Sequence, residues 1–175
     1  VNPGGGTLSG TKTANASAGV ATFSTLSIDK AGTGYRLAAT AAGLAPDTSS
    51  AFSINAGTAT RLAFTVQPSS AVAGVAISPA VRVTAQDNFG NTATGFAGTI
   101  TMAIANNPAG GVLSGTIAVA PVSGVSVFSN LMINQPGTGY TLRATATGLT
   151  LATSSAFNIT LVASPPIPAA SLPRQ

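Results

Sequence analysis

The sequence predicts an all-β chain folded as a sandwich of short antiparallel strands. Three observations carry the prediction. Apolar and polar residues alternate over runs of four to eight residues, as a strand with one buried face requires. Clusters of Gly, Pro, Asn, Asp and Ser separate those runs. No stretch sustains a helical period with caps, and the β-branched residues concentrate in the alternating runs.

The elements follow in order. After the turn-rich opening "NPGGGTLSGT", the run "GVATFSTLSI" offers Val20, Phe23, Leu26 and Ile28 to a core. These positions do not keep one parity, so a bulge or bend is expected near Ser24. "GYRLAAT" alternates Tyr35, Leu37 and Ala39 inward with Arg36 and Ala38 outward. "TRLAFTVQ" puts Leu62, Phe64 and Val66 on one face, and "PAVRVTAQD" puts Val81 and Val83 opposite Arg82. "QPSS", "DNFGN", "NNPAGG" and "GTG" supply turns between runs.

The chain also matches itself. "NPGGGTLSGT" from Asn2 and "NPAGGVLSGT" from Asn107 begin two stretches that align without a gap, to "SSAFSI" at Ile54 and "SSAFNI" at Ile159. Leu8, Phe23, Leu26, Ile28, Tyr35, Leu37 and Phe52 pair with Leu113, Phe128, Leu131, Ile133, Tyr140, Leu142 and Phe157. A period of about 105 residues is too long for a helical solenoid unit and close to the length of an immunoglobulin-like sandwich. One period is expected to hold seven strands, near 60–67, 80–87, 98–105, 111–118, 124–133, 139–146 and 154–161. The division that follows is a partial immunoglobulin-like repeat over 1–55 (its later four strands only), a complete domain over 56–162, and a Pro-rich linker or tail over 163–175.

Composition narrows the function. The chain has 175 residues, 45% hydrophobic and 6% charged, with no Cys and no His. That length suffices for one or two domains with a real core. Thiol chemistry, imidazole-based triads and His-ligated metals are excluded. Lys12, Lys30, Arg36, Arg61, Arg82, Arg143 and Arg174 are scattered, unlike the basic patch of a nucleic-acid binder, so no nucleic-acid partner is expected. No apolar run is long enough to insert into a bilayer. The opening "VNPGGG" shows no basic-then-apolar leader and reads as the start of a fragment or processed form. The acids are Asp29, Asp47 and Asp87. Asp29 aligns with Asn134 and Asp47 with Ala152, leaving the complete domain without a carboxylate pair, so no enzyme activity and no cofactor are expected.

Two motifs invite a site. "GTGY" occurs at 32–35 and 137–140. A phosphate loop needs a helix behind its glycines, and here a strand follows. The expected role is structural. Gly34 and Gly139 sit in a turn, while Tyr35 and Tyr140 stand two residues before the core leucines Leu37 and Leu142, the spacing of a tyrosine corner. "DNFGN" holds the hard oxygen donors Asp87, Asn88 and Asn91, a weak Ca²⁺ candidate with one carboxylate. Its other reading is a turn whose side chains bond their own backbone.

The run "AVRVTAQDNFGNTATGFAGTITMAI", then "GGVLSGT", "SGVSVFSNLMI" and "GTGYTLRATATG", resembles the bacterial immunoglobulin-like repeats of the invasin and intimin (Big-1-like) type, with Asp87-Asn88-Phe89-Gly90-Asn91 as their Asp-x-x-Gly-Asn turn. The resemblance covers nearly the whole chain. It implies a non-enzymatic tandem module of a large bacterial surface or extracellular protein, serving as stalk, spacer or adhesin. The implied partners are neighbouring repeats of the same or another chain, and a host or cell-surface glycan or protein. Two alternatives stand beside it: a subunit of an extracellular filament held by inter-chain strand complementation, and a carbohydrate-binding module.

Overall fold

The structure is a computed structural model that describes residues 1–161. The predicted tail over 163–175, and Val162 at the end of the predicted domain, lie outside the described residues. Among the described residues every regular element is a strand. The first segment contributes β1 (Leu8–Ser9), β2 (Ser27–Ile28), β3 (Gly32–Tyr35), β4 (Ala38–Ala39), β5 (Asp47–Thr48) and β6 (Phe52–Ile54). The second contributes β7 (Arg61–Val66), β8 (Ala71–Val72), β9 (Val81–Gln86), β10 (Ile100–Asn106), β11 (Leu113–Ser114) and β12 (Ala118–Val119). It continues with β13 (Val125–Phe128), β14 (Met132–Ile133), β15 (Gly137–Thr145), β16 (Ala152–Thr153) and β17 (Phe157–Thr160).

Residues 56–161 form two main sheets. One runs β12-β10-β15-β17-β8, with β16 also on β15; the other runs β13-β9-β7. All these pairings are antiparallel except β17 with β8. Alternation explains which faces meet. On β9, Val81, Val83 and Ala85 are buried and Arg82 is exposed; on β10, Ile100 and Met102 are buried and Thr101 is exposed; on β15, Tyr140, Leu142 and Ala144 are buried and Arg143 is exposed. Those residues join Leu62, Ile77, Phe128, Leu131, Ile133, Phe157 and Ile159 in one apolar cluster fed by both sheets, an arrangement consistent with a β-sandwich. Buried hydroxyls are paired: Thr84 with Thr65 at 3.0 Å, and Ser126 donating to the Val119 carbonyl at 3.0 Å.

The strand boundaries depart from expectation in three places. The strand expected over 111–118 is broken into β11 and the start of β12, which pair with different neighbours. The one expected over 124–133 splits into β13 and β14 at Ser129–Asn130, the counterpart of the bend expected at Ser24. β8 and β16 were not foreseen, because two-residue strands give too short a pattern to separate from turns.

The first segment keeps the bonds of its counterpart and lacks its cover. Asn2 brackets Gly6 with two hydrogen bonds (2.7 and 2.8 Å), as Asn107 brackets Gly111. Asp29 accepts from the Thr7 amide, as Asn134 does from Val112. Ser49 accepts from the Leu37 amide, as Ser154 does from Leu142. Yet "GVATFSTLSI" forms strand only at β2, and Phe23 is 41% exposed where Phe128 is 1% exposed. Leu26, Ile28 and Leu37 are half-buried, against complete burial of Leu131, Ile133 and Leu142. The inward pattern is the same; in 56–161 the strands β7, β9 and β10 complete the two sheets, β10 beside β15 and β9 with β7 beside β13, and so enclose the core.

Candidate functional site

The side chains with the most site-like chemistry gather at the junction between 1–55 and 56–161. β9 ends at Gln86, and the chain turns through Asp87-Asn88-Phe89-Gly90-Asn91. Gly90 adopts φ +80°, a conformation L residues disfavour, and its amide bonds the Asp87 carbonyl at 3.1 Å. The turn folds the Asp87 side chain inward, where it is 4% exposed. One carboxylate oxygen, Oδ1, accepts the amides of Phe89 and Asn91, both at 2.9 Å. The other, Oδ2, accepts the Gly57 amide and the Asn91 side-chain amide, also at 2.9 Å. Burial pushes the Asp87 carboxyl up. Hydrogen bonds from the Asn91 side chain and then from the Gly57, Asn91 and Phe89 amides outweigh it, and hold the group below its ordinary value.

Asn91 reaches across the junction. Its Nδ2 donates to the Asp29 carbonyl at 2.8 Å, and its Oδ1 accepts the Ala31 amide at 3.0 Å. Lys30 Nζ donates to the Phe89 carbonyl at 2.6 Å. Asp87 thus pins Asn91 from one side while Asn91 reads the backbone of 29–31 on the other. The Gly57 amide ties the connecting segment to the same carboxylate.

This geometry bears on the Ca²⁺ candidate. Each Asp87 oxygen faces two N–H donors, whose positive edges occupy the directions a cation would approach. Asn88 is exposed, and no hydrogen bond to its side chain draws it toward Asp87. The motif's oxygens serve the turn and the junction. No group of three or more His, Cys, Asp or Glu side chains clusters among the described residues.

The two GTGY stretches depart from the expected turn followed by a strand. Gly32–Tyr35 is strand β3, and Gly137–Tyr140 opens β15. The glycines sit in a bulge: pairing with the neighbouring strand slips between Thr33 and Tyr35, and between Thr138 and Tyr140. Gly34 and Gly139 both have φ +86°, and a Cβ on either would meet nothing within 4 Å, so backbone conformation rather than crowding calls for glycine. The slip turns each tyrosine into its interior. Tyr140 is fully buried, lies tilted against Phe157 with ring centroids 6.2 Å apart, and donates to the Gln135 carbonyl at 3.0 Å. Tyr35 repeats this against Phe52 and the Lys30 carbonyl. Tyr140→Phe is expected to lower stability by about 1 kcal/mol, the net value of one hydrogen bond. Urea melts of the two proteins measure it, and coincident midpoints would refute it.

Neither tyrosine offers a flat exposed ring for a sugar. The exposed aromatic rings among the described residues are Phe23 and Phe89. A surface cleft of about 550 Å³ lies beside the connecting segment and is lined by Ala56–Ala59, Ala93–Ala97 and Thr147–Leu149, with no acid or base in its wall. No helix of the described residues is long and apolar enough to cross a membrane. No protein-family model and no curated protein matches the chain.

Proposed function

We propose that the chain is a non-enzymatic structural module: immunoglobulin-like repeats of the invasin and intimin type, joined end to end in an extracellular or bacterial surface protein as a stalk or spacer. The observation that carries this is the junction. The first matched stretch, ending at Ile54, is joined to β7 through the six residues 55–60 and clamped to the turn after β9 by three hydrogen bonds, Asn91 to Asp29, Ala31 to Asn91, and Lys30 to Phe89. A spacer needs its units held at a fixed angle, because domains linked only by chain reorient freely. Polar bonds from side chain to backbone suit that role, since they set direction as well as contact. Apolar residues at the matching core positions, with very few charges outside, fit a surface whose task is length. Filament assembly by strand complementation is the second reading, and the half-covered apolar face of 1–55 is the observation favouring it.

The second copy shows how to test the junction. Where the first has Lys30 and Ala31, the second has Gln135 and Pro136. Proline has no amide hydrogen, and the equivalent loop accommodates it. Ala31→Pro therefore removes one junction bond with a residue this loop already tolerates. Residual dipolar couplings from 1–54 and from 58–161 should fit one alignment tensor in the native chain and two in the Ala31→Pro chain. Two tensors in the native chain would overturn the proposal of a rigid spacer.

A further inference from the structure

The chain enters and leaves 56–161 along strands that run the same way. β8 pairs with β17 in parallel, Ala71 beside Ile159 and Val72 beside Thr160. β7 shares that direction. Arg61 is bridged in parallel to Thr150, on the segment leading into β16, and β16 and β17 are both antiparallel to β15. Hydrogen bonds extend the seam between β8 and β17 beyond its two paired positions. Gln67 Oε1 accepts the Ser155 amide at 2.9 Å and the Ser155 hydroxyl at 3.2 Å. The Ser70 hydroxyl oxygen accepts the Asn158 amide at 3.1 Å, and the Thr160 hydroxyl donates to the Ala71 carbonyl at 3.3 Å. The Ala73 amide closes the row on the Thr160 carbonyl at 2.9 Å. On its other edge β17 is held by β15.

Direction decides how such a seam breaks. Tension along the chain draws β8 from its first residue and β17 from its last. In a parallel pair those are opposite ends, so the strands are pulled lengthwise past each other and their bonds share the load. In an antiparallel pair they would be the same end, and the bonds would open one after another. Each bond that must fail together with the others multiplies the lifetime by about fivefold, taking the ordinary net worth of a hydrogen bond. Gln67, Ser70, Ser155 and Asn158 are all exposed. Bonds between exposed groups add little to equilibrium stability. Across a seam loaded lengthwise they add to survival under load.

We propose that 56–161 bears tension, and that the seam between 67–73 and 155–160 is its latch. The spacer reading concerns the angle between units, whereas the latch concerns what one unit withstands along the chain. It rests on that reading only for the source of the load. β7 transmits the pull from the connecting segment, and its parallel bridge to Thr150 resists in the same sense.

Single-molecule force clamps test the latch. The chain has no Cys, so introduced cysteines give unique handles. Asn55→Cys with Leu161→Cys loads the seam lengthwise. Val75→Cys with Leu161→Cys opens it from one end, because Val75 lies just past β8 and Leu161 just past β17. All three positions are exposed. At equal tension the unit should survive at least about tenfold longer in the first geometry, since forced unfolding follows the unfolding rate. With the Asn55 and Leu161 handles, Gln67→Ala together with Ser70→Ala should shorten survival by about tenfold. Tyr140→Phe loses a bond outside the seam and should change it by less than about twofold. Equal survival in the two geometries would overturn the proposal, and so would equal shortening by the seam variant and Tyr140→Phe. The second comparison stands without the Val75 handle. Two alignment tensors in the native chain, with survival that depends on direction, would remove the rigid spacer and keep the latch. One tensor with equal survival would do the reverse.

Discussion

Phe128→Ala should cost about 3–5 kcal/mol, and Phe23→Ala less than about 1 kcal/mol, although the two phenylalanines occupy matching places in matching sequence. Phe128 ends β13 opposite Val81 and is 1% exposed, inside the cluster shared by both sheets. Removing its ring forfeits the burial of a large apolar side chain and leaves a cavity that close-packed neighbours fill only in part. Phe23 is 41% exposed, in a stretch that forms no strand. Its ring touches water before and after unfolding, so its removal changes little. Urea unfolding followed by tyrosine fluorescence, with Tyr140 and Tyr35 as the reporters in the two halves, gives both values. Equal midpoint shifts would mean that residues 1–55 find cover in solution that the chain's own strands do not supply. In that case Phe23 should become as costly to lose as Phe128.

The same pair of residues marks what the sequence can and cannot convey. Alternation placed Val81, Val83, Leu142 and Tyr140 facing inward, because period two ties side-chain direction to neighbours in the chain. The same alternation at Phe23, Leu26 and Leu37 specifies a face to be buried and says nothing of whether an opposing wall is present. The GTGY bulge was hidden for a related reason. A tight turn and a bulge both call on glycine at positive φ, and only the pairing partner distinguishes them. Phe52 and Phe157 are that partner, 17 residues beyond each tyrosine.

The junction was the largest omission. Asp-x-x-Gly-Asn gives away a turn, and its ligand-like oxygens invite a metal. What engages them comes from Gly57, thirty residues earlier, and from Asp29 and Ala31, some sixty residues earlier. One signal was available. Only a few residues separate Ile54, the end of the first matched stretch, from β7, and so short a connection forces the two units to abut. The turn leaving β9 was then one of few places where they could touch.

Asp87 supports the second large effect. Asp87→Ala should destabilise the chain by about 3 kcal/mol, because four N–H groups lose their acceptor at a buried point of the turn. Asp87→Asn separates charge from shape. Its amide keeps one oxygen for two donors and turns an NH₂ group toward the other two, so a loss of about 2 kcal/mol is expected, with loosening at the Asp29–Ala31 contact. The pH dependence identifies the source. The folded carboxyl lies below its ordinary value, whereas an unfolded aspartate titrates near ~3.9. A depressed folded value means the stabilisation is fully present above the unfolded value and is lost as pH falls through the folded one. The native chain should therefore lose stability as pH drops below about 4, more steeply than the Asp87→Asn chain, which has no proton to gain there. Urea midpoints at pH 6 and at pH 3 for the two proteins supply the comparison. A variant as stable as native at pH 6, or one with the same acid dependence, would show that the carboxylate does not hold the turn. The junction to Asp29 and Ala31 would then have to rest on Asn91 alone.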